Sequence, residues 1–457
     1  MRMRPRARRA PAGKVLALSA SLLFCPLAGL AAPPAKIPVI RINTSGLSPL
    51  AIGAETGRQA KALFPDIERR YDRYLASVVD PTRFASLRRQ QLPQLLQPLD
   101  QEWQDAMQGV AGAWTLAEDS IPGDGRLSKE EYQVLNLLPE LGLAMPDGVA
   151  FSVFGNASAL DSPISGRNLE MPSTPELRSL QAVTVYADAD NKTLATIGFA
   201  GILAVTTGFN DRGLFLSLLN AAPNSPYRQT RHLPKQATSI GFALRQALQQ
   251  QNSADAAANR LDGKTYAFDH SILLADRHTA LVQEYNAASN VAARRVWNSP
   301  SRDSLPWGRP NQLAAVDCLM LPTTPGACKD PKDNVRWRRL RELARFTPAQ
   351  PAAVESVSTL LSDTANYRYE IFSPQTVQSL VFTPASNTLY LYAAPVNGGP
   401  PATPAHQPYP QLLGAPKSGH NVNINAIQLT WILLLAMLVL TVWLRYGPRL
   451  PRKHDNA

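Results

Sequence analysis

Apolar and polar positions divide the chain into blocks of different period. Residues 51–79 and 102–108 carry apolar side chains at mixed spacings of three and four, the period of helices with one buried face. Ser128 followed by Glu131 opens another helix as a capping box, with Leu135, Leu138 and Leu141 continuing it. From Asp147 the pattern shortens to strand length. Apolar runs fall at 149–154, 164–171, 182–187, 194–199, 203–207 and 214–219, the last two joined by a turn at 208–213. Helical spacing returns at 236–250, 337–346 and 353–361. Further strands are predicted at 271–275 and 280–284, and a closing hairpin pairs 377–383 with 388–393. Helices and strands gathered in separate blocks predict an α+β fold with layered antiparallel sheets and a helical N-terminal segment.

Two apolar stretches do not fit a globular core. Residues 15–32 follow six basic residues and end on small side chains, as a secretory signal does, with cleavage expected after Ala31. Residues 426–445 form an almost uninterrupted apolar run with Trp431 and Trp443 inside it and Tyr446 just beyond, long enough to span a bilayer. Residues 397–425 are rich in Pro and Gly and read as a stalk. The expected organisation is a signal at 1–31, one domain at 36–396, the stalk, a transmembrane helix at 426–445 and a basic cytoplasmic tail at 446–457. The membrane is then a partner through the C-terminal helix. The large domain faces outward, into the periplasm if the cell is bacterial.

Charge changes meaning in this frame. The chain of 457 residues carries +11, of which +6 lies in residues 1–14 and +3 in 445–457. The remaining +2 is spread over a body with no basic stripe, which excludes a nucleic-acid partner. The hydrophobic share of 45% supplies a core and excludes wholesale disorder. Three cysteines exclude a disulfide-knit scaffold, although Cys318 and Cys328 enclose a loop that a local disulfide could close. The six histidines have no metal-ligand spacing. Residues 120–131 resemble a calcium loop only faintly, because Pro122 offers no side-chain oxygen at a ligand position. No metal and no cofactor is expected.

The stretch 148–224 carries more specific features. Gly166-Arg167-Asn168-Leu169-Glu170 and Gly208-Phe209-Asn210-Asp211-Arg212-Gly213-Leu214, with Ser45 to Gly57 near the start, resemble the penicillin side-chain acyltransferase family, relatives of the choloylglycine hydrolases. That resemblance implies a four-layer αββα N-terminal-nucleophile sandwich acting on acyl-amide compounds. In such enzymes an autocatalytic cut exposes a cysteine whose α-amino group takes its thiol proton, and hydrogen-bond donors hold the oxyanion. Carried onto this chain, Arg167 matches the family arginine and Glu170 stands in place of an aspartate. Asn220 is the oxyanion candidate, with Asn224 behind it, and Asp317 falls where the family has asparagine. The nucleophile register falls on Gly148 or Val149, neither of which has a nucleophilic atom. Ser152 is the nearest hydroxyl. Two functions follow: an acyl-amide hydrolase or acyltransferase with an unusual nucleophile, or an inactive relative that binds a small acyl-amide ligand or a partner.

Overall fold

The computed structural model describes residues 36–188, 192–221, 233–302, 305–324, 331–365, 370–397 and 404–414, with the backbone alone for 331–334. The signal at 1–31, the transmembrane helix at 426–445, the basic tail, Asn224 and Cys328 lie outside the described residues. Among the described residues, no helix is long and apolar enough to cross a membrane.

The chain opens with strand β1 (Val39–Asn43) and then six helices: α1 (Pro49–Leu63), α2 (Ile67–Val78), α3 (Pro81–Gln90), α4 (Leu92–Leu96), α5 (Gln101–Ala113) and α6 (Lys129–Asn136). Strands follow as β2 (Asp147–Val153), β3 (Ile164–Glu170), β4 (Gln181–Ala187), β5 (Thr193–Phe199), β6 (Thr207–Asn210) and β7 (Phe215–Asn220), with the short helix α7 (Pro175–Arg178) between β3 and β4. Next come α8 (Ile240–Gln250), α9 (Ala254–Leu261), β8 (His270–Ala275), β9 (Ala280–Asn286), β10 (Val291–Arg295) and β11 (Gln312–Val316). The last elements are α10 (Pro331–Leu343), α11 (Val354–Leu361), β12 (Thr376–Thr383), β13 (Thr388–Ala393) and β14 (Gln407–Tyr409).

Local chemistry explains several boundaries. Ser48 caps α1 by accepting from the Ala51 amide at 3.2 Å, and Pro49 occupies the first helical position, where its missing N–H costs nothing. The helical pattern over 51–79 is two helices, because the chain breaks at Phe64-Pro65-Asp66. Helix α6 carries the predicted capping box between Ser128 and Glu131. Helices α1 and α5 cross at glycines. A Cβ on Gly53 would stand 1.9 Å from the Ala106 carbonyl oxygen, and one on Gly109 would stand 2.0 Å from that of Leu50.

The strands form two sheets, one of eight strands in the order β1-β4-β5-β6-β7-β8-β9-β10 and one of six in the order β11-β2-β3-β12-β13-β14. Only the β1–β4 pairing is parallel among these described strands. The sheets pack face to face through an apolar layer in which Phe209 of β6 stacks on Phe382 of β12, ring centres 4.1 Å apart. Helices α1, α2, α3, α4, α5, α6, α8 and α9 cover the outer face of the larger sheet, while α10 and α11 cover the smaller one. The result is the expected αββα sandwich.

Several details depart from expectation. Helix α6 stops at Asn136, so Leu138 and Leu141, expected to continue it, lie in the turns beyond, and residues 208–210, expected in a turn, belong to β6. The strand read at 203–207 starts only at Thr207, because Leu203 and Val205 serve as buried loop residues under the helical layer. The segment expected as a stalk from residue 397 returns to the fold. Gln407–Tyr409 pairs with β13, and Leu412 and Leu413 are buried between the sheets. Strands β10 and β11 and helix α9 were not predicted, being short or alanine-rich and low in polar contrast.

Candidate functional site

The register of the β2–β3 hairpin decides which residue occupies the nucleophile position. Gly148 pairs with Leu169, Val149 with Asn168 and Ala150 with Arg167. Directly opposed residues share a face of the sheet, and neighbours alternate. Ala150 lies in the layer between the sheets, whereas Val149, Phe151 and Val153 pack outward beneath α10 and α11. Arg167 reaches inward to the larger sheet, donating from Nη1 to the Thr206 carbonyl at 2.8 Å and to Thr207 Oγ1 at 2.6 Å. Gly148 therefore shares a face with Arg167, and Val149 points to the opposite side. Of the two registers the sequence allows, Gly148 is the one that faces the arginine.

Gly148 has no room for a side chain. Its φ is +123°, and a Cβ built there would lie 2.1 Å from the backbone oxygen of Asn168. Its amide donates to Asp317 Oδ1 at 2.7 Å. Asp317 follows β11, whose Val316 pairs with Val149, so the neighbouring strand delivers a buried carboxylate to the start of β2. An acceptor suits an intact peptide N–H at this position.

The remaining predicted residues divide into two groups. Asn220, at the end of β7, donates from Nδ2 to Asp147 Oδ1 at 2.9 Å, and its own amide donates to the Pro146 carbonyl at 2.9 Å. It thus stands beside the start of β2, with its side-chain amide directed to a carboxylate. Glu170 pairs with Asp147 and lies on the outward face, away from Arg167. There it is held by both terminal nitrogens of Arg336 from α10 and by Ser373 Oγ at 2.6 Å. Arg336 Nη1 also lies 3.7 Å from Asp317 Oδ2. Ser152 is wholly buried and bonded to Ser165 at 2.8 Å across the hairpin. Ser152 shares the inward face of Arg167 but its hydroxyl is engaged by Ser165, and Val149 points to the opposite side.

Sequence reasoning missed Arg336, Ser373 and Asp147. Arg336 stands in a run of arginines that reads as a solvated helix face. Its one signal was indirect: a buried Glu170 needs a cation.

Arg167 has the most unusual environment. It is wholly buried, and its Nε and Nη2 have no hydrogen-bond partner among the described residues. Burial pulls its guanidinium down to about 9, with Asp317 and Asp147 opposing that shift. A narrow apolar cavity of about 70 Å³ lies between the larger sheet and its helices; its wall includes Thr206, whose carbonyl Arg167 bonds, and Pro146, which precedes β2, while the guanidinium itself is not part of the wall. Tyr71, Leu138, Met171, Ile202 and Leu218 supply much of its wall. The Tyr71 hydroxyl is engaged elsewhere, donating to the Ala200 carbonyl at 2.6 Å, so Tyr71 offers its ring. The arrangement can sequester an apolar chain. Among the described residues no cluster of side chains could hold a metal ion. Cys318 is disulfide-bonded, and its predicted partner lies outside the described residues.

The fold and these positions define a mixed α/β protein with two layered sheets covered by helices. No protein-family profile matches the chain, and no curated protein matches it. Among solved structures it is similar to a Caenorhabditis elegans N-acylethanolamine-hydrolyzing acid amidase ortholog, at 16% identity and a TM-score of 0.38, over 52% of this chain and 93% of that one. It is also similar to penicillin V acylase from Agrobacterium tumefaciens, at 14% identity and a TM-score of 0.32, over 54% and 83%. A variant of conjugated bile acid hydrolase from Clostridium perfringens matches at 13% identity and a TM-score of 0.36, over 60% and 100%. The αββα layering stands on this chain's own sheets and core clusters.

Proposed function

We propose that this protein is a non-catalytic, membrane-anchored member of the amide-hydrolase-like fold that binds a small acyl-amide ligand in the cavity beside Arg167. The reading rests chiefly on Gly148. The position that faces the arginine carries no reactive atom, and its backbone leaves no space for one. The nearest hydroxyl, Ser152, is spent on Ser165 inside the sheet. Loss of a nucleophile removes most of an enzyme's rate enhancement, while the surrounding pocket can survive. The apolar cavity supplies what an acyl group requires, and Arg167 fixes one edge of its wall through the Thr206 carbonyl. Residues 426–445 hold the domain to a membrane, with the signal placing it outside the cytoplasm.

Full-length protein incubated with a panel of N-acyl amides of graded chain length tests this. The expected result is saturable binding that strengthens with chain length and is weakened by Leu218→Trp, which fills the cavity, with no free amine released. Amine release above the uncatalysed rate, abolished by Ser152→Ala, would replace this reading with that of an active hydrolase.

A further inference from the structure

We infer that a second pocket, enclosed by α1, α5, α8 and adjoining ends of β4 and β5, binds a small organic carboxylate with an aromatic or short apolar body. It has a volume of about 280 Å³ and shares no lining residue with the cavity beside Arg167, so the inference is independent of the proposed function.

Arg245 of α8 carries the argument. It is only 3% exposed, and its guanidinium carbon lies 3.5 Å from the centre of the Tyr186 ring and 6.0 Å from that of Trp103. Stacking satisfies the faces of a guanidinium but not its edges. The edge atoms Nε and Nη1 have no hydrogen-bond partner among the described residues, and neither does the buried Tyr186 hydroxyl. Glu102 lines the same pocket and senses the charge of Arg245, yet its hydrogen bond, at 3.4 Å, comes from Gln246. A buried guanidinium left in this way is costly unless something meets it. Nε and Nη1 point to different sides of the guanidinium, so a carboxylate would accept from one of them, and the tyrosine hydroxyl is a second donor.

The charge balance and the walls narrow the ligand class. Lys192, Arg212 and Arg245 line the pocket against Glu102 and Asp188, an excess of one positive charge. Arg212 is partly committed, donating to the Leu248 and Gln249 carbonyls at 3.0 and 2.9 Å. Leu47, Ile52, Leu194 and Leu248 provide apolar wall for a ring or a short chain. One negative charge and a compact apolar body therefore fit, whereas a polyphosphate would bring too much charge for this wall.

Calorimetric titration of the full-length chain with benzoate and with neutral benzamide tests the inference. Benzoate is expected to bind one site, benzamide at least about tenfold more weakly, a difference of about 1.4 kcal/mol. Arg245→Met should weaken benzoate by a similar factor. Glu102→Gln, which removes the competing carboxylate and leaves the stacked arginine in place, should tighten benzoate severalfold. Absence of benzoate binding at millimolar concentration, equal binding of benzamide, or benzoate binding unchanged in Arg245→Met would overturn it. Should Arg245→Met fail to fold, Glu102→Gln decides alone: unchanged or weaker benzoate binding in that variant also overturns the inference.

Discussion

Gly148 and Arg167 lie on the same inner side of one hairpin, and the difference between them defines the candidate site. Arg167 keeps a buried charge bonded to Thr206 and Thr207, and Gly148, on the same face, is closed in by backbone. A cysteine installed at 148 should not restore chemistry. Its Cβ would meet the Asn168 oxygen at 2.1 Å, and its φ of +123° strains any L side chain. Gly148→Cys is expected to lose about 2–4 kcal/mol of stability and to gain no amidase activity, as measured by denaturant unfolding and amine release. Glu170 and Arg336 make a second residue-scale test. Each is 1% exposed at its side chain, and removal of either partner strands the other. Arg336→Met or Glu170→Met alone should cost about 3–5 kcal/mol, and the double variant much less than the sum. A strictly additive double-variant cycle would contradict the pairing.

Individual elements were legible where the signal is local. The capping box at Ser128 and the closing hairpin both rest on residues adjacent in sequence. The assignment of Gly148 rather than Val149 could not be made in the same way, because it depends on the β2–β3 register, and a shift of one residue exchanges the two faces. Arg336 was hidden for a related reason, since the packing of α10 turns one arginine of a basic run inward to Glu170. Helix α6 offers its own test. Burial lifts the Glu131 carboxyl to about 7, against an ordinary value of 4.5, with Asp72 and Asp124 adding to the rise. The folded state therefore binds this proton more tightly than the unfolded chain. The corresponding stability is present below about pH 4.5 and is lost as pH rises through about 7. Glutamine serves the same capping role. Glu131→Gln should therefore become progressively more stable than the parent between pH 5 and pH 8 in thermal unfolding. A pH-independent difference would contradict the shift.

At the scale of the whole molecule, nearly all of the +11 charge sits in two terminal segments, so it says little about what the described domain binds. The layered fold was legible from the blocks of helical and strand period. The return of the chain at Gln407–Tyr409 was not, since a three-residue strand in a Pro-rich stretch has no period of its own. Deletion after residue 396 would remove β14 and the buried Leu412 and Leu413, and is expected to lower the unfolding temperature by several degrees. The central claim is that the chain stays uncut and unreactive at the start of β2. Intact mass of the purified full-length protein tests it most directly. One unbroken chain through residues 147–152 is the predicted result, and a new N-terminus at Gly148, Val149 or Ser152 would contradict it.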